Sequence, residues 1–174
     1  KMLFEAANPE NIFKIIDEKE KNINDTKQII PQLIKEFNLP KGKQEIRSFK
    51  GEAGLKTIFE DMLKSKTEIL DFGAEYKIKE YLKYYYPKWD NQRVKNKIKM
   101  RIIANSKIKP VKIKLTEIKY IPKEFTSSVS TYIYENKIAL VMWVENPIGI
   151  IIEHDKVAES YINHFELLRK IAKK

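Results

Sequence analysis

The 174-residue sequence contains no cysteine, which excludes disulfides, thiolate metal sites and a thiol nucleophile. Histidine occurs only at 154 and 164. Ten residues apart near one predicted helix, the two do not share a helix face as metal ligands would, so neither a metal nor a cofactor is expected. Glycine is held to five positions. The one cluster, Gly51-Glu52-Ala53-Gly54, lacks both the lysine-serine pair of a phosphate loop and the glycine spacing of a dinucleotide fold. No apolar run approaches the roughly 20 residues of a membrane helix. The opening Lys1-Met2-Leu3-Phe4-Glu5 leads into polar sequence rather than a signal-peptide core. The expectation is a cytoplasmic protein with no membrane partner.

Hydrophobic residues make up 43% and charged residues 33%, enough apolar side chain for a real core and a length suited to one domain with a small appendage. Arginine stands only at 47, 93, 101 and 169, against 30 lysines, and the net charge is +10. That charge is local. Residues 75–123 carry 15 Lys and Arg against four acids, and the rest of the chain sums to −1. Such a segment attracts a polyanion. Interleaved with apolar residues and poor in the arginine that reads bases, it equally fits a solvated lysine face.

Two unlike parts follow along the chain. Asn8-Pro9-Glu10 reads as an N-cap, a first-turn proline and an acid at the positive helix end. From there to residue 38, Ile16, Ile23, Ile30 and Phe37 recur every seven residues, with Ile12 and Leu33 in companion positions and Lys19 and Thr26 interrupting them. This imperfect heptad seam predicts a long helix from Asn8 to Asn38, within a dimerisation helix and linker at 6–40, that pairs with a second copy of the chain. Pro31 removes one helical hydrogen bond and predicts a bend or a new helix start. Asn38-Leu39-Pro40-Lys41-Gly42 is a breaker cluster and marks a boundary.

Beyond it, from residue 43 to 174, strand and helix patterns alternate. Strands are expected at 44–49, 67–72, 99–104, 116–121, 129–135, 137–144 and 148–153. Helices are expected at 51–64, 76–86, 88–97 (the last two separated by Pro87) and 155–172, with a loop at 105–114. In the last helix Val157, Ala158, Tyr161, Ile162, Phe165, Leu168 and Ile171 point inward. The class is α/β, a mixed sheet flanked by helices. Among titratable residues, Glu60-Asp61 reads as a solvated pair, Asp155 as a helix cap and His164 as a surface residue. No arrangement of catalytic side chains is recognisable.

Several stretches, in order, resemble one family. Phe49-Lys50-Gly51-Glu52-Ala53-Gly54 continues through Ile58-Phe59-Glu60-Asp61 and is similar to the F-x-G-x-x-G-I-x-x-I-Y-E-D stretch of TrmB-like transcriptional regulators. Glu68-Ile69-Leu70-Asp71-Phe72-Gly73 is similar to their E-I-L-S-F-G strand. The stretch from Arg93 to Ile103 resembles R-x-K-x-G-I-x-x-R-V-I. Ile138–Val141, Asn146–Glu153, Val157–Ser160 and Phe165–Leu168 resemble the family's C-terminal signature. The resemblance implies a winged-helix DNA reader, a dimerising helix and a phospholipase D-like sensor domain. Residues 1–5 would be the last strand of the wing, the reader itself would be missing, and DNA would be a partner only through it.

Active phospholipase D-type proteins carry H-x-K-x4-D at a hairpin, the histidine as nucleophile and the lysine on phosphate. On the hairpin at 129–144, Ser128 stands at the histidine position, Ser130 at the lysine position and Glu135 at the aspartate position. A second register, His154-Asp155-Lys156, has Tyr161 where aspartate is required and falls in a helix. The resemblance therefore implies a non-enzymatic sensor whose old cleft, near Ser128, Ser130, Glu135, Trp143 and Glu145, takes a small effector such as a sugar. Two other readings stand beside it: a phospholipase D-type hydrolase, and a basic nucleic-acid-binding module.

Overall fold

The alternation of apolar and polar residues in the C-terminal part builds one sheet with two unlike faces. In the computed structural model, which describes residues 8–37, 45–74, 77–105, 112–122, 124, 125 and 127–173, the chain divides into two compact units at Lys41 and Gly42. The wing strand expected at 1–5 and the breaker cluster lie outside the described residues.

The first unit is α1 (Asn11–Phe37), a 27-residue helix. Asn8 Oδ1 accepts the backbone N–H of Glu10 at 3.0 Å just before it. The helix runs through Pro31 without ending there, so the expected restart is corrected. A proline costs a helix one donor and crowds the preceding turn, yet α1 continues on both sides of Pro31. Ile12, Ile16, Ile23 and Ile30 are exposed, as are Phe13, Ile15, Ile29 and Ile34. The side chains of Leu33 and Phe37 lie outside the described residues.

The second unit has the order β1 (Glu45–Lys50), α2 (Gly51–Met62), β2 (Ile69–Ala74), α3 (Ile78–Tyr81), α4 (Tyr86–Lys95), β3 (Met100–Asn105), β4 (Thr116–Ile121), β5 (Val129–Tyr134), β6 (Lys137–Met142), β7 (Ile148–Glu153) and α5 (Asp155–Ile171). The strands form a seven-stranded sheet in the order β1-β7-β6-β5-β2-β3-β4. β2, β3 and β4 are parallel; β1, β7, β6 and β5 pair antiparallel. The halves meet where β5 lies antiparallel to β2.

Side chains alternate across this sheet. One face packs Ile69, Met100, Ile102, Tyr132, Ala139, Val141 and Ile151 against Leu55, Ile58, Phe59 and Met62 of α2, Ile78 of α3 and Trp89 of α4. The other packs Leu70, Ile103, Ile133 and Ile138 under Ala158 and Phe165 of α5. A Cβ on Gly149 would come within 2.1 Å of Ile58 Cδ1, so glycine lets α2 sit directly on β7.

Arg93 and Arg101 tie the helices to the sheet. Arg93 is fully buried. It donates to the carbonyls of Ile98 and Lys114, each at 2.7 Å, and its Nε and Nη2 grip Asp90 at 2.9 and 2.7 Å. Arg101 bonds Glu68 on one side and Glu166 of α5 on the other. Two of the chain's four arginines, both inside the basic segment, are thus spent on structure rather than on display.

Several expectations need correction. The helix expected at 76–86 is reduced to α3, and Pro87 opens α4 in its first turn rather than separating two helices, because a proline there gives up no helical hydrogen bond. His154, not Asp155, caps α5, its Nδ1 accepting the N–H of Lys156 at 3.1 Å. Ile162 and Ile171 are exposed. Asp61 is not solvated: it accepts from Lys137 at 2.9 Å and Tyr134 at 3.0 Å. Burial pushes its carboxyl up, but those hydrogen bonds outweigh burial and hold it below its usual range.

Candidate functional site

Where β5 meets β2, the pairing sets Asp71 beside Tyr132 on one side and Ile102 on the other. All three lie on the α2–α4 face. Gly73 makes the approach possible. Its φ is +75°, and a Cβ there would sit 2.4 Å from the carbonyl oxygen of Val129, a clash no other residue escapes. The parallel register with β3 slips at this point. The start of β5 is pressed onto the end of β2, carrying Ser128 and Ser130 with it.

Of the five residues expected at a site, this arrangement joins two. Trp143 is 6% exposed and Ser130 2%; the Trp143 indole N–H donates to Ser130 Oγ at 2.8 Å. Tyr132 lies two residues on, on the same face of β5 as Ser130. Ser128 contributes its carbonyl, which accepts the Trp143 backbone N–H at 3.3 Å, while its side chain is exposed. Glu135 lies past the other end of β5, about 20 Å along the strand from Ser128. There, at φ +51°, it accepts the N–H of Lys66 at 3.0 Å and helps close the hairpin. Glu145 is exposed in the loop between β6 and β7. The alternate register is no site either, since His154 is occupied as a cap.

Sequence reasoning missed the acid. Asp71 is 5% exposed, and among the described residues no group donates to its Oδ1. Burial pushes its carboxyl up to about 8, because ionising it there would leave a charge in apolar surroundings. The cavity it borders has about 20 Å³ of free volume and is walled by Phe59, Tyr86, Trp89, Tyr132, Ser130 and Lys77, among others. The rings pack edge to face, Phe59 with Trp89 and with Tyr132 at 5.4 Å each. Tyr86 also lines an outer cleft of about 440 Å³ with Lys79, Lys83, Pro87, Asp90 and Asn91. Burial raises the phenols of Tyr86 and Tyr132, with the Asp71 charge adding to both. The available signal was an acid inside the apolar run Ile69-Leu70-Asp71-Phe72, in a central strand buried on both faces, where a carboxylate has no solvent to face.

A buried acid with a raised pKa makes stability depend on pH with a definite sign. Between an unfolded carboxyl near 3.9 and a folded one near 8, the native chain holds a proton that the unfolded chain lacks. The contribution is complete below the lower value and is lost as pH rises through the upper one. Urea unfolding from pH 5 to 7 should therefore show the wild type losing up to about 1.4 kcal/mol per pH unit relative to Asp71→Asn. Equal pH dependence of the two proteins would contradict the burial of an uncompensated acid.

Comparison with known proteins rests on structure. No family model and no curated protein matches the sequence. NucT from Helicobacter pylori superposes with a TM-score of 0.56 at 8% identity, over 74% of this chain and 99% of its own. Nuc from Salmonella typhimurium, a phospholipase D family member, gives 0.53 at 10% identity, over 75% of this chain and 97% of its own. TrmBL2, an archaeal chromatin protein with a novel mode of DNA binding, gives 0.54 at 11% identity, over 95% of this chain and 67% of its own. The sheet and its covering helices have the phospholipase D-like fold.

Proposed function

We propose that this chain is the effector-sensing and dimerisation region of a transcriptional regulator, a phospholipase D-like fold that binds a small metabolite and catalyses nothing. The observation that carries the reading is the pair of serines at the start of β5. With the active pattern laid on the β5–β6 hairpin, as the family resemblance implies, Ser128 and Ser130 fall where it has its nucleophile and its phosphate-binding cation. Among the described residues the Ser130 hydroxyl accepts from the Trp143 indole rather than facing a base that would activate it. Glu135 keeps a carboxylate at the last motif position, but that carboxylate accepts the backbone N–H of Lys66.

TrmBL2, a DNA-binding protein, extends the structural likeness to 95% of the chain, which supports a regulatory over a hydrolytic setting. Contact with DNA would come through a reader domain beyond these residues. The row of isoleucines on α1 supplies the pairing surface: Ile12, Ile16, Ile23 and Ile30, joined in the heptad by Leu33 and Phe37. A metabolite acts through such a dimer only if it binds two arrangements of it with different affinity.

Two measurements check this. The protein, incubated with a chromogenic phosphodiester, should show no turnover above buffer. Turnover that disappears in Ser128→Ala would overturn the non-enzymatic reading. In sedimentation equilibrium the chain should behave as a dimer, and Ile16→Glu with Ile23→Glu should raise its dissociation constant by at least about 100-fold, since two charges would be buried in an apolar seam. A monomeric wild type would remove α1 as the dimerising element.

A further inference from the structure

The Asp71 cavity has a composition that the serine pair alone does not explain. Its one buried acid lies among four aromatic rings, those of Phe59, Tyr86, Trp89 and Tyr132. Carboxylate and ring faces share a preference: both attract positive charge, the carboxylate directly and the rings through their quadrupole. A cation held between them would remove the cost of the buried acid, which is severe only while the charge is unpaired. Among the described residues the protein supplies no such cation to the acid. Burial is what raises the Asp71 carboxyl, although Lys77 lines the same cavity.

Size and shape narrow the guest. About 20 Å³ of free volume accepts a group little larger than one water molecule. That suits a primary ammonium and excludes a quaternary one or a sugar ring. Ser130 and Tyr132 offer further oxygen acceptors beside Asp71 Oδ1 to an N–H donor with three hydrogens. The rest of a ligand would extend past Tyr86, whose ring borders both the cavity and the outer cleft.

We infer that the Asp71 cavity is a binding site for the ammonium head of a small primary amine, held by the Asp71 carboxylate inside an aromatic wall, with the body of the ligand in the outer cleft beside Tyr86. The inference rests on the sensor reading and names the ligand class for it. Lys79 and Lys83 at the mouth disfavour a purely cationic ligand and favour an amine that also carries an anionic group. Binding turns a protonated acid into a carboxylate paired with the ammonium, so the proton leaves Asp71 for solvent as the ammonium enters.

The probe is methylammonium, the head group alone, applied to the full chain at pH 7. Relative to 100 mM sodium chloride, 100 mM methylammonium chloride should raise the thermal midpoint by about 5 °C, as binding with a dissociation constant near 10 mM requires. In Asp71→Asn the two salts should give equal midpoints. Without any variant, the ¹³C resonance of the Asp71 carboxyl should move to its carboxylate position as methylammonium is added. Equal effects on wild type and Asp71→Asn, or a carboxyl resonance that stays in place, would overturn the proposal. If erythritol and not methylammonium protects in an Asp71-dependent way, the ammonium assignment fails while the sensor reading stands. If neither protects, the site assignment fails, and the sensor reading is then judged by its own assays.

Discussion

Everything at the candidate site depends on the seam between β2 and β5. A parallel triplet and an antiparallel quartet of strands share one sheet only if some strand pairs both ways, and β2 does so, parallel to β3 and antiparallel to β5. The seam is tight because Gly73 has no Cβ to hold the Val129 carbonyl away. It fixes which side chains become neighbours: Asp71 opposite Tyr132, Phe72 opposite Thr131. A larger residue at 73 would push the start of β5 outward and take Ser130, and the indole bonded to it, out of reach of the acid.

The chemistry follows from that geometry. A phosphoryl-transfer centre needs a nucleophile and concentrated positive charge where the phosphate sits. The seam here instead gathers hydroxyls, an indole and aromatic rings around an acid with an unpartnered oxygen. Keeping such an acid in the core costs stability progressively from about pH 4 to pH 8, and acids so perturbed cluster at functional sites. The arginines that could have supplied positive charge are committed elsewhere: Arg93 to the carbonyls joining α4, β3 and β4, and Arg101 to the ion pairs that hold α5 against the sheet.

Much of this fold was legible in the sequence where the pattern is local. Strands at 116–121 and 148–153 follow from alternation bounded by turns and are found with those bounds. Legibility failed where a signal has two meanings. Pro87 reads as a break but serves as a helix start, and a tyrosine run at 84–86 carries no helical period, so α3 ends early. Asp71 was passed over because its importance depends on a strand 61 residues later. No local pattern pairs it with Tyr132. Trp143 and Ser130 were legible as hairpin neighbours, since β5 and β6 fold back on each other in register. Glu135 and Glu145 were grouped with them by motif position and loop proximity alone, and the hairpin's length keeps Glu135 at the far end.

The central proposal is a neutral binding chamber built on Asp71, in the cavity it shares with Ser130 and Tyr132. Its most direct test is a ¹³C-detected NMR titration of the Asp71 carboxyl in the full chain in sodium buffer. The account predicts a midpoint near 8, with the group protonated at pH 7. A midpoint near 4, the ordinary carboxylate range, would mean that Asp71 is solvated or already paired, and would contradict the chamber described here.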